Sequence, residues 1–89
     1  MHKSQEELQA ALQSAGQQVI VGGLYTHYKN PEQEYKVIHL AITEWDDDLC
    51  VIYQAQYAAQ IIFVRPLKSW LQKVEWQGAL VDRFTKVSS

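Results

Sequence analysis

Gly22-Gly23-Leu24-Tyr25-Thr26-His27-Tyr28-Lys29-Asn30 is the stretch that sets the fold class. Paired glycines argue against a helix and suggest a bulge or sharp bend in a strand. The next six residues alternate, Leu24, Thr26 and Tyr28 against Tyr25, His27 and Lys29, which is strand periodicity. Asn30-Pro31 then signals a turn. The chain downstream keeps this character. Residues 34–44 read as a long strand, with Ile38, Leu40 and Ile42 on one wholly apolar face and Tyr35, Val37, His39 and Ala41 on the other. Trp45-Asp46-Asp47-Asp48 is a polar turn, and residues 49–56, rich in Val, Ile and Tyr, form the next strand. Tyr57-Ala58-Ala59-Gln60 connects to a further strand over 61–65.

Pro66 ends that strand and can open a short helix over 66–73, where Leu67, Trp70, Leu71 and Val74 have helical spacing. Gln77-Gly78 has the chemistry of a hairpin tip between 74–76 and 79–84, and 85–89 should fray. Upstream, Ser4 and Glu7 fit a capping box at the start of a helix over 4–15. Its narrow stripe of Leu8, Ala11, Leu12 and Ala15 should dock lightly, and Gly16 is a natural stop. Short strands at this spacing favour a small barrel or a strongly bent sheet. Its core would join Ile38, Leu40 and Ile42 to Val51, Ile61, Phe63, Leu67 and Trp70.

Eighty-nine residues make one domain. A net charge of −2 and scattered basic residues give no electrostatic case for nucleic acid or an anionic membrane. No apolar stretch approaches the roughly 18 residues of a membrane span, and the first residues lack a signal peptide's apolar region, so the cytoplasm is expected. Cys50 is the single cysteine, which leaves neither a disulfide nor a zinc-type pair within the chain.

Several arrangements can be weighed against plainer readings. His27 and His39 could hold a metal with Cys50 or an aspartate of 46–48, but the spacing matches no known ligand pattern. Hydrogen-bonded, partly buried histidines are the better reading. A Cys50–His27 nucleophilic pair would need an activated thiol, whereas Cys50 sits among valine and isoleucine. The three aspartates lack the rest of a calcium loop, and Gly22-Gly23 lacks the Lys-Ser/Thr of a phosphate loop. No cofactor, metal or catalytic residue is therefore expected. Trp45 and Trp76, beside turns, should close the ends of the core; the alternative is an aromatic anchor for a partner.

The one constellation with binding chemistry is Tyr25, His27, Tyr28, Lys29, Tyr53, Tyr57 and Arg65. Tyrosines stack or donate a hydroxyl, and arginine can grip an anion with two N–H groups. A hydrogen-bonded polar layer fastening the strands is the plainer alternative. Arg65 alternates with Phe63 and Ile61, so it leaves the sheet beside two apolar groups and needs a partner. An internal partner is the expectation, either Glu44, Glu75 or Asp82 in a salt bridge or tyrosine hydroxyls and carbonyls; the alternative is a ligand anion shared with His27, Lys29 or Arg83.

Gly23-Leu24-Tyr25-Thr26-His27-Tyr28-Lys29, Tyr35-Lys36-Val37, Val51-Ile52-Tyr53-Gln54-Ala55-Gln56-Tyr57, Phe63-Val64-Arg65-Pro66-Leu67, Gly78 and Arg83-Phe84 together resemble a short bacterial family, domain of unknown function 1653, over about residues 22–84. The resemblance implies an SH3-like β-barrel, a bacterial intracellular protein, and no established activity. Where that family tends to carry Arg-His, this chain has Ile42-Thr43. Its Gly-Asp is Ala58-Ala59 here, and its Trp is Phe63. A site inherited through the resemblance would rest on His27, Tyr53, Tyr57, Arg65 and Arg83.

The combined expectation is a mostly β, single-domain protein: an N-terminal helix over 1–16 on an SH3-like barrel or roll over 17–89. Its expected function is non-enzymatic binding of a small anion or peptide through Tyr25, His27, Lys29, Tyr53, Tyr57, Arg65 and Arg83, with nucleic acid less favoured and no membrane. The alternative is a self-association module, a homodimer using Trp45, Trp76 or an open barrel edge.

Overall fold

Ser4 opens the chain's first element as its sequence requires. In the computed structural model, which describes residues 3–87, the Ser4 hydroxyl accepts from the Glu7 N–H and the Glu7 carboxylate accepts from the Ser4 N–H. Helix α1 then runs Gln5–Gln18. It does not stop at Gly16. Ala15 and Val19 are both buried, and the Val19 N–H still donates to the Ala15 carbonyl at 2.8 Å. Anchoring that end in the core outweighs the roughly 1 kcal/mol that a glycine costs inside a helix.

Among the described residues seven strands and one short helix follow: β1 Leu24–His27, β2 Asn30–Thr43, β3 Asp48–Ala55, β4 Ile62–Pro66, α2 Leu67–Trp70, β5 Lys73–Trp76, β6 Ala79–Asp82 and β7 Phe84–Lys86. Five of the strands form one antiparallel sheet in the order β4-β3-β2-β1-β7, and β5-β6 is a separate hairpin. The fold is thus mostly β with an N-terminal helix, but neither sheet closes into the expected barrel. The sheet's two edges meet through side chains instead: the Arg65 guanidinium of β4 lies 5.4 Å from the Phe84 ring of β7.

Several boundaries differ from the sequence reading for long-range reasons. The β1–β2 turn falls at Tyr28-Lys29, with His27 paired to Asn30, rather than at Asn30-Pro31. Pro31 lies among residues 31–33, which have no partner on β1, so its missing N–H leaves no gap in that ladder. Gly22, at φ 87°, belongs to a turn before β1 rather than to a bent strand. Residues 84–86 do not fray; β7 pairs with β1, while positions 88 and 89 lie outside the described residues. Helix α2 is a single turn, because Lys73 already belongs to β5. The hairpin tip at Gln77-Gly78 is as expected: both residues have positive φ, 52° and 84°, as a two-residue turn between twisted strands demands.

The largest correction concerns β2. Val37 pairs with Tyr53 but His39 pairs with Ile52, so Ile38 is an extra residue, a β-bulge. The bulge flips the side-chain parity. Tyr35 and Val37 therefore share a face with Leu40 and Ile42, not the opposite one. That face carries the core: Val19, Tyr25, Val37, Val51, Tyr53, Trp70 and Phe84, with Tyr35, Leu40 and Leu67 against them. Burial of each large side chain contributes about 1.5–3 kcal/mol. Ile61 and Phe63 are exposed and add little, and Trp45, 75% exposed, closes nothing; Trp76 is likewise on the surface.

Ala58 has φ 52°. A Cβ is disfavoured in that conformation, while glycine gains entropy in the unfolded chain. The first effect is the larger. Ala58→Gly is expected to stabilise the domain by about 0.5 kcal/mol and raise its melting temperature by a few degrees. A melt that is unchanged or lower would refute this.

Candidate functional site

The core face opens into a cleft of about 310 Å³ lined by His27, Lys29, Asn30, Tyr35, Tyr53, Phe63, Arg65 and Phe84. Each arrives from a different part of the chain. Strand alternation puts His27 on the same side of β1 as Tyr25, and its ring meets Phe84 edge-on at 5.1 Å. Tyr53, in the central part of the sheet, touches Tyr35, Phe63, Trp70 and Phe84 at centroid distances of 5.0–5.7 Å. Phe63 and Arg65 share the cleft side of β4 because they pair with Tyr53 and Val51. The expected alternation of β4 is therefore correct.

Among the described residues Arg65 has a hydrogen bond but no counter-ion. Its Nη1 donates to the Ser69 hydroxyl of α2 at 2.8 Å, and its Nε is buried with no partner. Among the described residues no carboxylate pairs with it. Glu44 and Glu75 make no such bridge, and Asp82 pairs with Lys73 at 3.0 Å. A guanidinium half out of water against a phenyl ring keeps part of its desolvation cost uncompensated.

His27 adds a donor. Its Nδ1 accepts from the Lys29 backbone N–H at 3.2 Å, so the neutral ring carries its proton on Nε2. Burial holds its pKa below the ordinary imidazole value, and the nearby charges of Arg65, Arg83 and Lys29 lower it further. The unfolded chain therefore binds a proton at His27 more readily than the folded one. Stability should fall as pH drops from about 6.5 toward the lowered folded value and level off below it. His27→Gln should flatten that part of the curve in thermal melts between pH 7.5 and 5. An unchanged slope would show that His27 is not the titrating group.

The sequence reading placed seven residues together, and the structure gathers four of them in the lining: His27, Lys29, Tyr53 and Arg65. Tyr25 is buried, and its hydroxyl accepts from the Ile20 N–H at 2.9 Å. Tyr57 stands behind the wall, its hydroxyl 2.6 Å from that of Tyr35. Burial, and then the hydrogen bond shared with Tyr57, pushes Tyr35 up to about 12, so it stays a neutral phenol. Arg83 donates to Gln72 at 3.1 Å and reaches the cleft as a field on His27. Asn30, Tyr35, Phe63 and Phe84 were missed as lining residues. Asn30 reads as a turn residue, alternation without the bulge puts Tyr35 on the wrong face, Phe63 reads as core, and Phe84 depends on the β7–β1 pairing.

Cys50 and His39 lie on the opposite side of the sheet from Val51 and Tyr53, and so from His27. Burial, with Asp48 and Asp46 nearby, raises the Cys50 thiol, the reverse of activation. No group of three His, Cys, Asp or Glu side chains gathers among the described residues. A roomier groove of about 500 Å³ lies between α1 and the 46–48 turn, but it mixes Lys3 and Lys68 with three aspartates and concentrates no single charge. No helix of the described residues is long and apolar enough to cross a membrane.

Fold and cleft define a class: a small open-sheet β domain whose aromatic face holds an arginine with no carboxylate partner among the described residues. The chain belongs to the family described as protein of unknown function (DUF1653), which matches residues 23–86 and leaves α1 outside. It is similar to a crystal structure of a DUF1653 protein from Bordetella bronchiseptica. The TM-score is 0.67 and the identity 29%, over 79% of this chain and 90% of that one. No curated protein matches the chain.

Proposed function

We propose that this protein is a non-enzymatic binding module whose cleft takes a small anionic group, a carboxylate or phosphate. The observation that carries this reading is Arg65, a cation held against Phe84 by Ser69 with no carboxylate partner among the described residues. Lys29 and the Nε2–H of His27 line the same cleft, and no acid does. Charge-assisted hydrogen bonds to such an anion are about twice as strong as neutral ones. Catalysis has less support, since the buried thiol is on the far face.

Binding and His27 protonation are linked. An incoming anion offsets the neighbouring positive charges and raises the His27 pKa. Acetate or phosphate should therefore shift the His27 ring signals in NMR, move its titration upward, and bind more tightly at pH 6 than at pH 8. If neither anion moves the His27 titration, the cleft is not an anion site.

A further inference from the structure

The edge beside this cleft is protected only at its C-terminal end, by Arg65 and Pro66. β4 ends the five-stranded sheet, and Ile61, Ile62, Phe63 and Val64 are 56%, 58%, 41% and 64% exposed. Natural edges are usually blunted by charges, prolines, bulges or covering loops, because their free N–H and C=O groups recruit another strand. None of these devices interrupts positions 61–64; Arg65 and Pro66 come after them. The direction of the free groups follows from the ladder. The Ala55 N–H donates to the Ile61 carbonyl at 3.0 Å, and the register continues through Tyr53–Phe63 and Val51–Arg65. Antiparallel pairs alternate, so Ile61, Phe63 and Arg65 turn their backbone groups toward β3. Ile62 and Val64 turn theirs outward. Pro66, which lacks an N–H, also falls at an outward position.

We propose that β4 accepts an extended acidic peptide as a sixth strand, with an Asp or Glu side chain of that peptide entering the cleft beside Arg65. This deepens, and rests on, the anion-binding reading. A strand added at the usual spacing of about 4.8 Å projects alternate side chains on the cleft side, opposite Phe63 or Arg65. Directly opposed side chains on neighbouring strands have Cβ atoms about 5 Å apart, within reach of a carboxylate–guanidinium contact. The backbone ladder supplies affinity, Ile62 and Val64 supply apolar contact on the outer face, and Arg65 selects the acid. Charge complementarity favours such a peptide over a second copy of this chain. β4 carries no acid, and two copies paired edge to edge would bring two cationic clefts together.

The test uses three probes on the full chain: a blocked pentapeptide of alternating valine and threonine around a central glutamate, its glutamine counterpart, and acetate. The glutamate peptide is expected to bind about tenfold or more tightly than either comparator, and to slow amide exchange at Ile62 and Val64. Val64→Pro removes an outward N–H and leaves the ladder to β3 intact, so it should lose the peptide and keep the His27 response to acetate. If acetate moves His27 but the glutamate peptide binds no tighter than acetate, or exchange at Ile62 and Val64 is unaffected, strand addition is overturned and the anion site stands. If no probe moves His27, both fall. Protection of Ile62 and Val64 that grows with protein concentration alone would assign the edge to a second copy and overturn the peptide.

Discussion

Replacing Trp70 with alanine is expected to cost about 3–5 kcal/mol of folding free energy. An 89-residue domain has a total stability of roughly 4–13 kcal/mol, so the variant should sit near its unfolding threshold. The expectation comes from what the indole touches. It is buried, stacks on Phe84 at 3.7 Å with the planes 2° apart, and meets Tyr25 and Tyr53 edge-on at 5.3 and 5.0 Å. Helix α2 is only four residues long and has no stability of its own, so Trp70 is its anchor. The same helix presents Ser69 to Arg65, and Phe84 is both the floor of the cleft and the indole's stacking partner. Stability and the anion response should therefore fail together in this variant. Denaturant melts measure the first, and the melting temperature should drop by on the order of 15 °C or more. A loss below about 1 kcal/mol would mean that the aromatic cluster repacks without the indole.

Arg65→Met is expected to separate function from stability. Methionine keeps most of the length and apolar contact with Phe84 and removes the charge. Replacing a partly buried charge that has no ion partner by an apolar side chain of similar size is neutral or stabilising. The variant should therefore melt at the same temperature as the parent or higher. Its anion response should vanish. At an anion concentration of a hundred times Kd the parent gains about 2.7 kcal/mol, and the variant should gain none. Paired thermal melts with and without phosphate and acetate read both numbers. A variant that loses several kcal/mol without any ligand, beside a parent that anions do not stabilise, would make Arg65 a structural brace. Loss of binding with retained stability is the signature of a residue held under strain for a ligand.

The features legible in the sequence were those fixed by neighbours along the chain. Ser4 and Glu7 cap a helix because three residues separate them. Gln77-Gly78 turns a hairpin because both residues tolerate positive φ. Phe63 and Arg65 share a face because strands alternate, and that alone put an arginine beside an aromatic wall. The rest depended on residues far apart. The bulge at Ile38 follows from how β2 meets β3, and it decided that Tyr35 faces the cleft. The pairing of β7 with β1 brought Phe84 under Arg65. The side-chain closure between β4 and β7 left an open edge where a barrel was expected. Whether Arg65 meets a carboxylate is likewise a tertiary fact: Asp82 pairs instead with Lys73 across its own hairpin. Local hydrogen bonding and alternation act over three or four residues, whereas register, edge pairing and counter-ions are chosen by contacts that form only when distant segments pack.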